Sequence, residues 1–164
     1  MSLFLKQSVS FAEAISNLNE LPILVLGHRR PDGDCIGSQV ALTRTLLSLG
    51  KDARAVNEDP IPRTLQKFVG DTPFYSSEQV GEGEYQVITV DCADHRRVGD
   101  TLSKRFPKVD LNIDHHVSNT NYGEENFILS DASATGEILA KFFFDSGYQV
   151  DQTTAEALYL GICT

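Results

Sequence analysis

Histidine and aspartate side chains occur together at three places in this chain, each directly after a short apolar run. The three sequences are Gly27-His28-Arg29-Arg30-Pro31-Asp32-Gly33-Asp34, Asp91-Cys92-Ala93-Asp94-His95 and Asp114-His115-His116. A single aspartate or histidine in such a position is most often a capping or surface residue. Helix capping does not require histidine, however. Agreement among three places favours metal binding, because imidazole and carboxylate groups are common ligands of catalytic divalent cations.

The ligand types and their spacing indicate which metal the site takes and how many ions it holds. The set contains no thiolate, which favours Mn²⁺ or Mg²⁺ over a structural zinc ion. Asp32 and Asp34 are two residues apart, so an extended chain places them ~6.6 Å apart on one side. This spacing suits two ions ~3.5–4 Å apart with Asp91 between them. Such a pair activates water and stabilises charge on both the attacking and the leaving oxygen of a phosphoryl group.

The elements that must position these residues alternate along the sequence. Strands are predicted at residues 23–26, 53–57, 87–90, 109–113 and 126–129, and the run at 23–26 is wholly apolar, as in a strand covered on both faces. Apolar residues recur at helical spacing between the predicted strands. They do so again in the last residues of the sequence, at Ala155, Leu158, Tyr159 and Ile162. Residues 70–84 are predicted to form a loop. The pattern predicts an α/β fold with a parallel sheet, in which ligands bind at the carboxyl ends of the strands.

Composition limits the classes of function. The formal net charge of −9 argues against a broad cationic groove for long nucleic acids. Arginines at positions 29, 30, 96 and 97 flank the motifs, so a phosphate-bearing substrate is still compatible. No apolar run approaches the ~20 residues of a membrane helix. Three cysteines without a C-x-x-C pair, and an N-terminal sequence unlike a secretory signal, predict a reducing, cytoplasmic setting.

Taken in order, the motifs resemble those of the DHH phosphoesterase family over roughly residues 21–164. The H-x-x-x-D-x-D motif corresponds to His28, Asp32 and Asp34, the second motif to Asp91, and the Asp-His-His motif to residues 114–116. Both the order and the strand context make the resemblance specific. It implies a three-layer domain with helices on both faces of a parallel sheet.

The resemblance also implies roles for individual residues. His28, Asp32 and Asp91 would hold one Mn²⁺ ion, and Asp34, Asp91 and His115 the other. The catalytic set would be Asp91, Asp114 and His116. In it, His116 would contact the scissile phosphate as general acid or charge stabiliser, and Asp114 would orient its neighbours. The flanking sequence adds Arg96 and Asn119 as substrate contacts.

Residues 31–38, 114–119 and 135–137 resemble the branch of the family that degrades very short RNAs. Many of its members also remove the 3′-phosphate of 3′-phosphoadenosine 5′-phosphate. The resemblance thus implies a cytoplasmic hydrolase acting on a short single-stranded oligonucleotide or a nucleoside bisphosphate, without long-duplex or membrane binding. A homodimer is left open. The alternatives are a non-catalytic nucleotide-binding module, a RecJ-like single-strand exonuclease and a family II pyrophosphatase.

The last residues, Gly161-Ile162-Cys163-Thr164, resemble the lead-in to the family's fourth motif, where an aspartate ligand follows directly. The resemblance therefore predicts that residues 1–164 are a DHH catalytic domain cut just before that motif, without the C-terminal DHH-associated domain. A chain one ligand short is expected to hold the second ion weakly, and binding of nucleotide without turnover stays an alternative for this chain on its own.

Overall fold

Six parallel strands form the central sheet of the computed structural model, which describes residues 5–164. The strands are β1 (Ile23–Leu26), β2 (Ala53–Asn57), β3 (Phe74–Ser76), β4 (Gln86–Val90), β5 (Leu111–Asp114) and β6 (Glu125–Ile128). Their spatial order is β3-β2-β1-β4-β5-β6. The chain builds outward from β1 in one direction and then from β4 in the other. The junction of these two strands is therefore the switch point at which open α/β sheets bind ligands.

Helices cover both faces of the sheet, so the predicted three-layer α/β architecture is confirmed. They are α1 (Leu5–Asn17), α2 (Gly33–Ser48), α3 (Asp100–Arg105), α4 (Thr135–Ser146) and α5 (Gln152–Cys163). The larger core joins one face of the sheet to α1, α2, α4 and α5, and the smaller core joins the other face to α3. Among the described residues, no helix is both long and apolar enough to cross a membrane.

The alternation of side chains in β1 explains its wholly apolar sequence. Ile23 and Val25 belong to the larger core, whereas Leu24 and Leu26 belong to the smaller one. All four are fully buried. Since both neighbours of β1 are also parallel strands, the strand has no polar face to satisfy, and its sequence is apolar throughout.

Two predictions about local structure were wrong. Residues 70–84 are not all loop, because β3 pairs with β2 and a short 3₁₀ turn follows it at Ser77–Gln79. The apolar stripe of α5 was also misplaced, since Ala155, Tyr159 and Ile162 are exposed. The buried residues of this helix are two leucines, Leu158 and Leu160, and three small residues: Thr154, Ala157 and Gly161. A stripe of small residues carries little hydrophobic signal, which explains why the periodicity selected the wrong face.

Small residues let α2 and α5 pack closely. A Cβ atom at Gly37 would lie 2.3 Å from the carbonyl oxygen of Ala157, so only glycine fits where the two helices meet. A Cβ atom would lie 3.4 Å from Oδ1 of Asp34 if added at Gly136, and 3.0 Å from it if added at Gly161. This packing fixes the first turn of α2, and with it Asp34, against α4 and α5.

Candidate metal centre

The three His/Asp motifs meet at the carboxyl ends of β1, β4 and β5. These strands are neighbours in the sheet, so the residues that follow them line a common cavity of about 140 Å³. The motif residues that line it are His28, Asp32, Asp34, Asp91, His115 and His116. The structure therefore brings together all five predicted metal ligands and the predicted phosphate-contacting histidine.

Asp91 lies at the centre of this arrangement and is almost completely buried. Its Oδ2 atom is 3.5 Å from Nε2 of His28, and its Oδ1 atom is 3.6 Å from Nε2 of His115. The backbone of Asp91 has a φ of 54°, in the left-handed region that non-glycine residues rarely occupy. Such strain persists where the surrounding structure imposes it and is typical of functional sites. One carboxylate thus faces two imidazoles, one from each side.

The first group of ligands consists of His28, Asp32 and Asp91. Nδ1 of His28 lies 2.8 Å from the carbonyl oxygen of Arg29 and donates to it, so Nε2 faces the carboxylates, 3.8 Å from Oδ1 of Asp32. Burial alone would lower the pKa of His28, but the interactions with Asp32 and Asp91 outweigh it and raise the pKa above its ordinary value. The interaction with His28 in turn lowers the pKa of Asp32 to about 2. This group attracts positive charge.

The second group consists of Asp34, Asp91 and His115. Oδ2 of Asp34 lies 3.7 Å from Nε2 of His115. Both carboxylate oxygens of Asp34 also accept hydrogen bonds of 2.8 Å from the first backbone N–H groups of α4, at Thr135 and Gly136. Burial and the negative charge of Asp91 raise the pKa of Asp34 to about 7. The two carboxylates therefore repel each other in a site with little water to screen them.

The geometry and chemistry of these residues fit divalent cations. The His–Asp distances of 3.5–3.8 Å exceed the usual hydrogen-bond length. Two atoms that each bind one ion at about 2.1 Å lie at most about 4.2 Å apart, so these distances suit shared ligation. Ligand atoms of His28, Asp32 and Asp91 all lie within 4.8 Å of one another. Carboxylate and imidazole donors are those that Mn²⁺ accepts.

Asp114 lies beneath the centre, fully buried, and not on the cavity surface. Its carboxylate accepts hydrogen bonds from the backbone N–H of His115 at 2.9 Å, from Nδ1 of His116 at 2.7 Å and from Nδ2 of Asn119 at 2.6 Å. Because Nδ1 of His116 donates to Asp114, Nε2 is the ring nitrogen left for a ligand. This arrangement suits the orienting role that the resemblance implies for Asp114.

Two of the three predicted substrate contacts, Arg96 and Asn119, lie outside the cavity lining, whereas His116 is part of it. The guanidinium of Arg96 pairs with the carboxylate of Asp94, and its side chain is exposed. The amide of Asn119 is bound to Asp114 and to the carbonyl oxygen of Cys92, so it supports the centre from below. The neighbouring Arg97 lines the cavity instead. Sequence position alone did not distinguish these two arginines, because the 3₁₀ turn at His95–Val98 sets which one faces the cavity.

The contact between Asp34 and the start of α4 is the part of the site that sequence reasoning missed. Its N-cap residue, Ala134, has no side-chain acceptor, and Asp34 binds the first N–H groups of the helix instead. Thr135 also donates from Oγ1 to Oδ1 of Asp91 at 3.3 Å. An uncapped helix start was the available signal, because free N–H groups at a buried helix end require an acceptor from elsewhere.

Comparison with known proteins identifies a matching family and curated relatives of this chain. The sequence pattern described as "DHH family, N-terminal domain" matches residues 22–162. A bifunctional oligoribonuclease and PAP phosphatase of Thermus thermophilus is 33% identical over 147 residues, which cover 88% of this chain and 43% of that protein. A probable manganese-dependent inorganic pyrophosphatase of Streptococcus mutans is 28% identical over 148 residues, with coverages of 85% and 46%. The chain spans less than half the length of these two curated relatives.

The fold itself also recurs in solved structures. An exopolyphosphatase-related protein from Bacteroides fragilis superposes with a TM-score of 0.79 at 20% sequence identity, over 96% of this chain and 49% of that protein. At this level of identity the likeness concerns the fold alone.

Proposed function

The chain belongs to the DHH family, through that family's N-terminal domain, and from this premise we propose that it is a metal-dependent phosphoesterase domain. The proposed substrates are short oligonucleotides, 3′-phosphoadenosine 5′-phosphate or both, and the proposed cofactor is a pair of Mn²⁺ ions. The observation that carries the proposal is Asp91, whose two carboxylate oxygens face the imidazoles of His28 and His115. The three free cysteines support a reducing, cytoplasmic setting.

The proposed ligands divide into two sets that share Asp91. His28 and Asp32 complete one set, and Asp34 and His115 complete the other. When bound, the two cations lower the pKa of a water molecule and neutralise negative charge on the phosphoryl oxygens. The chain's own contribution is to hold these side chains at fixed positions. It does so through the N-cap contact of Asp32 to Cys35 and the contact of Asp34 to the start of α4.

His116 and Arg97 are the proposed substrate contacts within the cavity. Asp114 accepts from Nδ1 of His116 and fixes the ring, so Nε2 is the ring nitrogen that faces a phosphoryl or leaving-group oxygen. Arg97 adds a permanent positive charge to a cavity whose other ionisable side chains are carboxylates and histidines. A guanidinium there attracts a phosphate without competing for the cations.

The substrate class is proposed from the T. thermophilus relative, which is the more identical of the two curated proteins described above. The pyrophosphatase relative supports a second candidate, hydrolysis of inorganic pyrophosphate. Both kinds of substrate are hydrolysed at a P–O bond of a phosphorus that carries negatively charged oxygens, so the metal centre alone does not select between them.

The proposal is tested by assaying the protein with Mn²⁺ on di- to pentaribonucleotides, 3′-phosphoadenosine 5′-phosphate and pyrophosphate. Wild-type protein is expected to release mononucleotide or phosphate from the nucleotide substrates, and Asp91→Asn to lose this activity by more than about 100-fold. Asp94→Asn is the matched control, because Asp94 lies in the same loop but pairs with exposed Arg96. Its activity is expected to stay within about threefold of wild type.

Two results would overturn the proposal. Equal activity in wild type and Asp91→Asn would contradict the central role of Asp91. Turnover of pyrophosphate without turnover of either nucleotide substrate would favour the second candidate function. Calorimetry measures Mn²⁺ binding to the same proteins, and this second readout does not depend on turnover.

A further inference from the structure

A row of polar side chains crosses β4, β5 and β6 on the face of the sheet opposite the larger core. Thr89 pairs with Asn112 in the register of β4 and β5, and Asn112 pairs with Asn126 in the register of β5 and β6. Thr89 and Asn112 are fully buried. The strand neighbours of Asn112, Leu111 and Ile113, belong to the larger core. Buried polar groups cost free energy unless they form hydrogen bonds, so the partners of Asn112 indicate its role.

The side-chain amide of Asn112 has three partners. Its Oδ1 atom accepts a hydrogen bond of 3.2 Å from Oγ1 of Thr89. Its Nδ2 atom donates to Oδ1 of Asn119 at 3.0 Å and to Oδ1 of Asn126 at 3.2 Å. Since an amide nitrogen carries two hydrogens, each acceptor receives one of them. The amide of Asn112 therefore has one defined orientation, with its nitrogen facing the loop that follows β5.

Asn119 connects Asn112 to the metal centre. Its Nδ2 atom donates to Oδ2 of Asp114 at 2.6 Å and to the carbonyl oxygen of Cys92 at 3.3 Å. A carboxylate only accepts hydrogen bonds, so Asn119 turns its nitrogen toward Asp114 and its oxygen toward Asn112. The same oxygen accepts from the backbone N–H of Asn121 at 2.8 Å, which closes a turn within the loop.

The two carboxylate oxygens of Asp114 divide their partners. Oδ2 accepts from Asn119, whereas Oδ1 accepts from the backbone N–H of His115 and from Nδ1 of His116. The bond from Asn119 thus limits rotation of the carboxylate, and the carboxylate limits rotation of the imidazole. Four side chains, those of Asn112, Asn119, Asp114 and His116, form a continuous chain of hydrogen bonds from the buried sheet to the cavity.

We propose that Asn112 is a positioning residue for phosphoester hydrolysis, acting through Asn119 and Asp114 on the imidazole of His116. The inference rests on the proposed function, since the reaction that it serves is the one proposed for the metal centre. Asn112 does not line the cavity, so its effect on a substrate is indirect. Networks in which each donor has its acceptor favour one arrangement of their side chains, and a group that meets a phosphoryl oxygen requires such a fixed position.

Replacement of Asn112 leaves its neighbours with hydrogen bonds. Each oxygen atom that bonds to Asn112 also has a second partner: the backbone N–H of Asn121 for Asn119, the backbone N–H of Gly123 for Asn126, and the hydroxyl of Tyr122 for Thr89. Leucine has the same branched shape as asparagine and no polar atoms. Asn112→Leu is therefore expected to unfold within about 4 °C of wild type. Asn112→Ala removes the same amide without added bulk if the leucine variant fails to fold.

The first test records the ring-nitrogen signals of His116 in the metal-free protein by ¹⁵N NMR at one fixed pH, with His116→Gln to assign them. Wild type is expected to show a signal from the Nδ1 proton, because Asp114 holds that proton and slows its exchange with water. Asn112→Leu is expected to lose this signal, since the carboxylate is no longer held in one position. A residue that only stabilised the fold would not change it.

The second test measures hydrolysis with Mn²⁺, using a diribonucleotide or 3′-phosphoadenosine 5′-phosphate, whichever wild type turns over. Asn112→Leu is expected to lower kcat about tenfold and to change KM by less than about threefold, since positioning of His116 matters most in the transition state. Asn119→Leu, which removes the direct contact with Asp114, is expected to lower kcat at least as much.

Asn126→Leu is the matched control. Asn126 belongs to the same polar row, but its other hydrogen bonds go to the backbone of Gly123 and not to Asn119. It is expected to keep the Nδ1 signal of His116 and a kcat within about twofold of wild type. Equal losses in the Asn112 and Asn126 variants would overturn the inference, and so would an Asn112 variant with the signal and kcat of wild type.

The NMR measurement separates this inference from the proposed function, because it needs neither metal nor substrate. Loss of the Nδ1 signal in Asn112→Leu, with no hydrolysis by wild type, would contradict only the proposed function. Hydrolysis that depends on Asp91, with an unchanged His116 signal in Asn112→Leu, would contradict only the positioning role of Asn112.

Discussion

Two clusters of charged side chains in this protein differ in how their charges are balanced. At the metal centre, Asp34 and Asp91 are buried close together, with histidines as neighbours. In the cluster formed by Arg44, Asp71 and Asp151, one guanidinium pairs with both carboxylates, and those carboxylates are exposed. In the arginine cluster each carboxylate is exposed and pairs with the guanidinium, whereas Asp34 and Asp91 are buried and, among the described residues, form ion pairs only with histidines. The difference indicates that one cluster stabilises the fold and the other binds a cation.

The largest effect outside Asp91 is expected at Asp114, which accepts hydrogen bonds from His115, His116 and Asn119. Asp114→Asn puts an amide donor where a carboxylate accepted, so it releases the ring of His116. Supporting carboxylates of this kind typically contribute 10–100-fold to metal affinity or activity, and a loss in this range is expected in Mn²⁺ titrations and hydrolysis assays.

Asp110→Asn is the control for that prediction, because Asp110 lies just before β5 and binds the backbone N–H of Val87 at the opposite edge of the sheet. If both variants lost Mn²⁺ affinity equally, the effect would belong to the stability of β5 and not to the orientation of His116.

In the arginine cluster, removal of charge is expected to destabilise the fold. Asp151 caps α5 by accepting from the backbone N–H of Thr154, and it also pairs with Arg44 on α2. Asp151→Ala is expected to lower the free energy of unfolding by about 1–2 kcal/mol, mainly through the lost cap. Urea denaturation measures this change. An unchanged midpoint would show that the cluster contributes nothing to the packing of α2 against α5.

The same cluster predicts a dependence of stability on pH. The interaction with Arg44, and next the hydrogen bond from Thr154, lower the pKa of Asp151 below its ordinary value of 3.8. A carboxyl whose pKa is lower in the folded state stabilises the protein above its unfolded pKa, and this contribution is lost as the pH falls through the folded value. The difference in unfolding free energy between wild type and Asp151→Asn should therefore shrink below about pH 4. A constant difference from pH 7 to pH 2 would contradict this.

The smallest expected effect, and one of opposite sign, concerns the metal-free protein. Asp91→Asn removes the repulsion with Asp34 and places asparagine, which tolerates positive φ, at a strained position. In the presence of a chelator, this variant is expected to unfold at the same temperature as wild type or slightly above it. A clear decrease would indicate that Asp91 stabilises the fold and that its charge is already balanced within the protein.

The sequence allowed prediction of the parallel α/β fold and of the grouping of the three motifs for a physical reason, and the family resemblance supplied the individual ligands. Wholly apolar strands require cover on both faces, and parallel strands bring the residues that follow them to one edge of the sheet. Hence His28, Asp91 and His115 could be grouped without any knowledge of their distances.

The remainder of the site depends on packing that leaves little trace in the sequence. The choice of Arg97 over Arg96 follows from a single 3₁₀ turn. Capping of α4 by Asp34 joins residues about 100 positions apart. The buried face of α5 includes small residues that hydrophobic periodicity does not detect. In each case a tertiary contact decides the outcome, and local spacing does not.

The central claim is that the crowded carboxylates around Asp91 bind divalent cations, and a Mn²⁺ titration of the metal-free protein tests it directly. Wild type is expected to bind Mn²⁺ and to gain thermal stability as it does so, since a ligand of the folded state raises the unfolding temperature. Asp91→Asn should show neither effect, and Asp151→Asn should show both. Mn²⁺ affinity equal in wild type and Asp91→Asn would contradict the account.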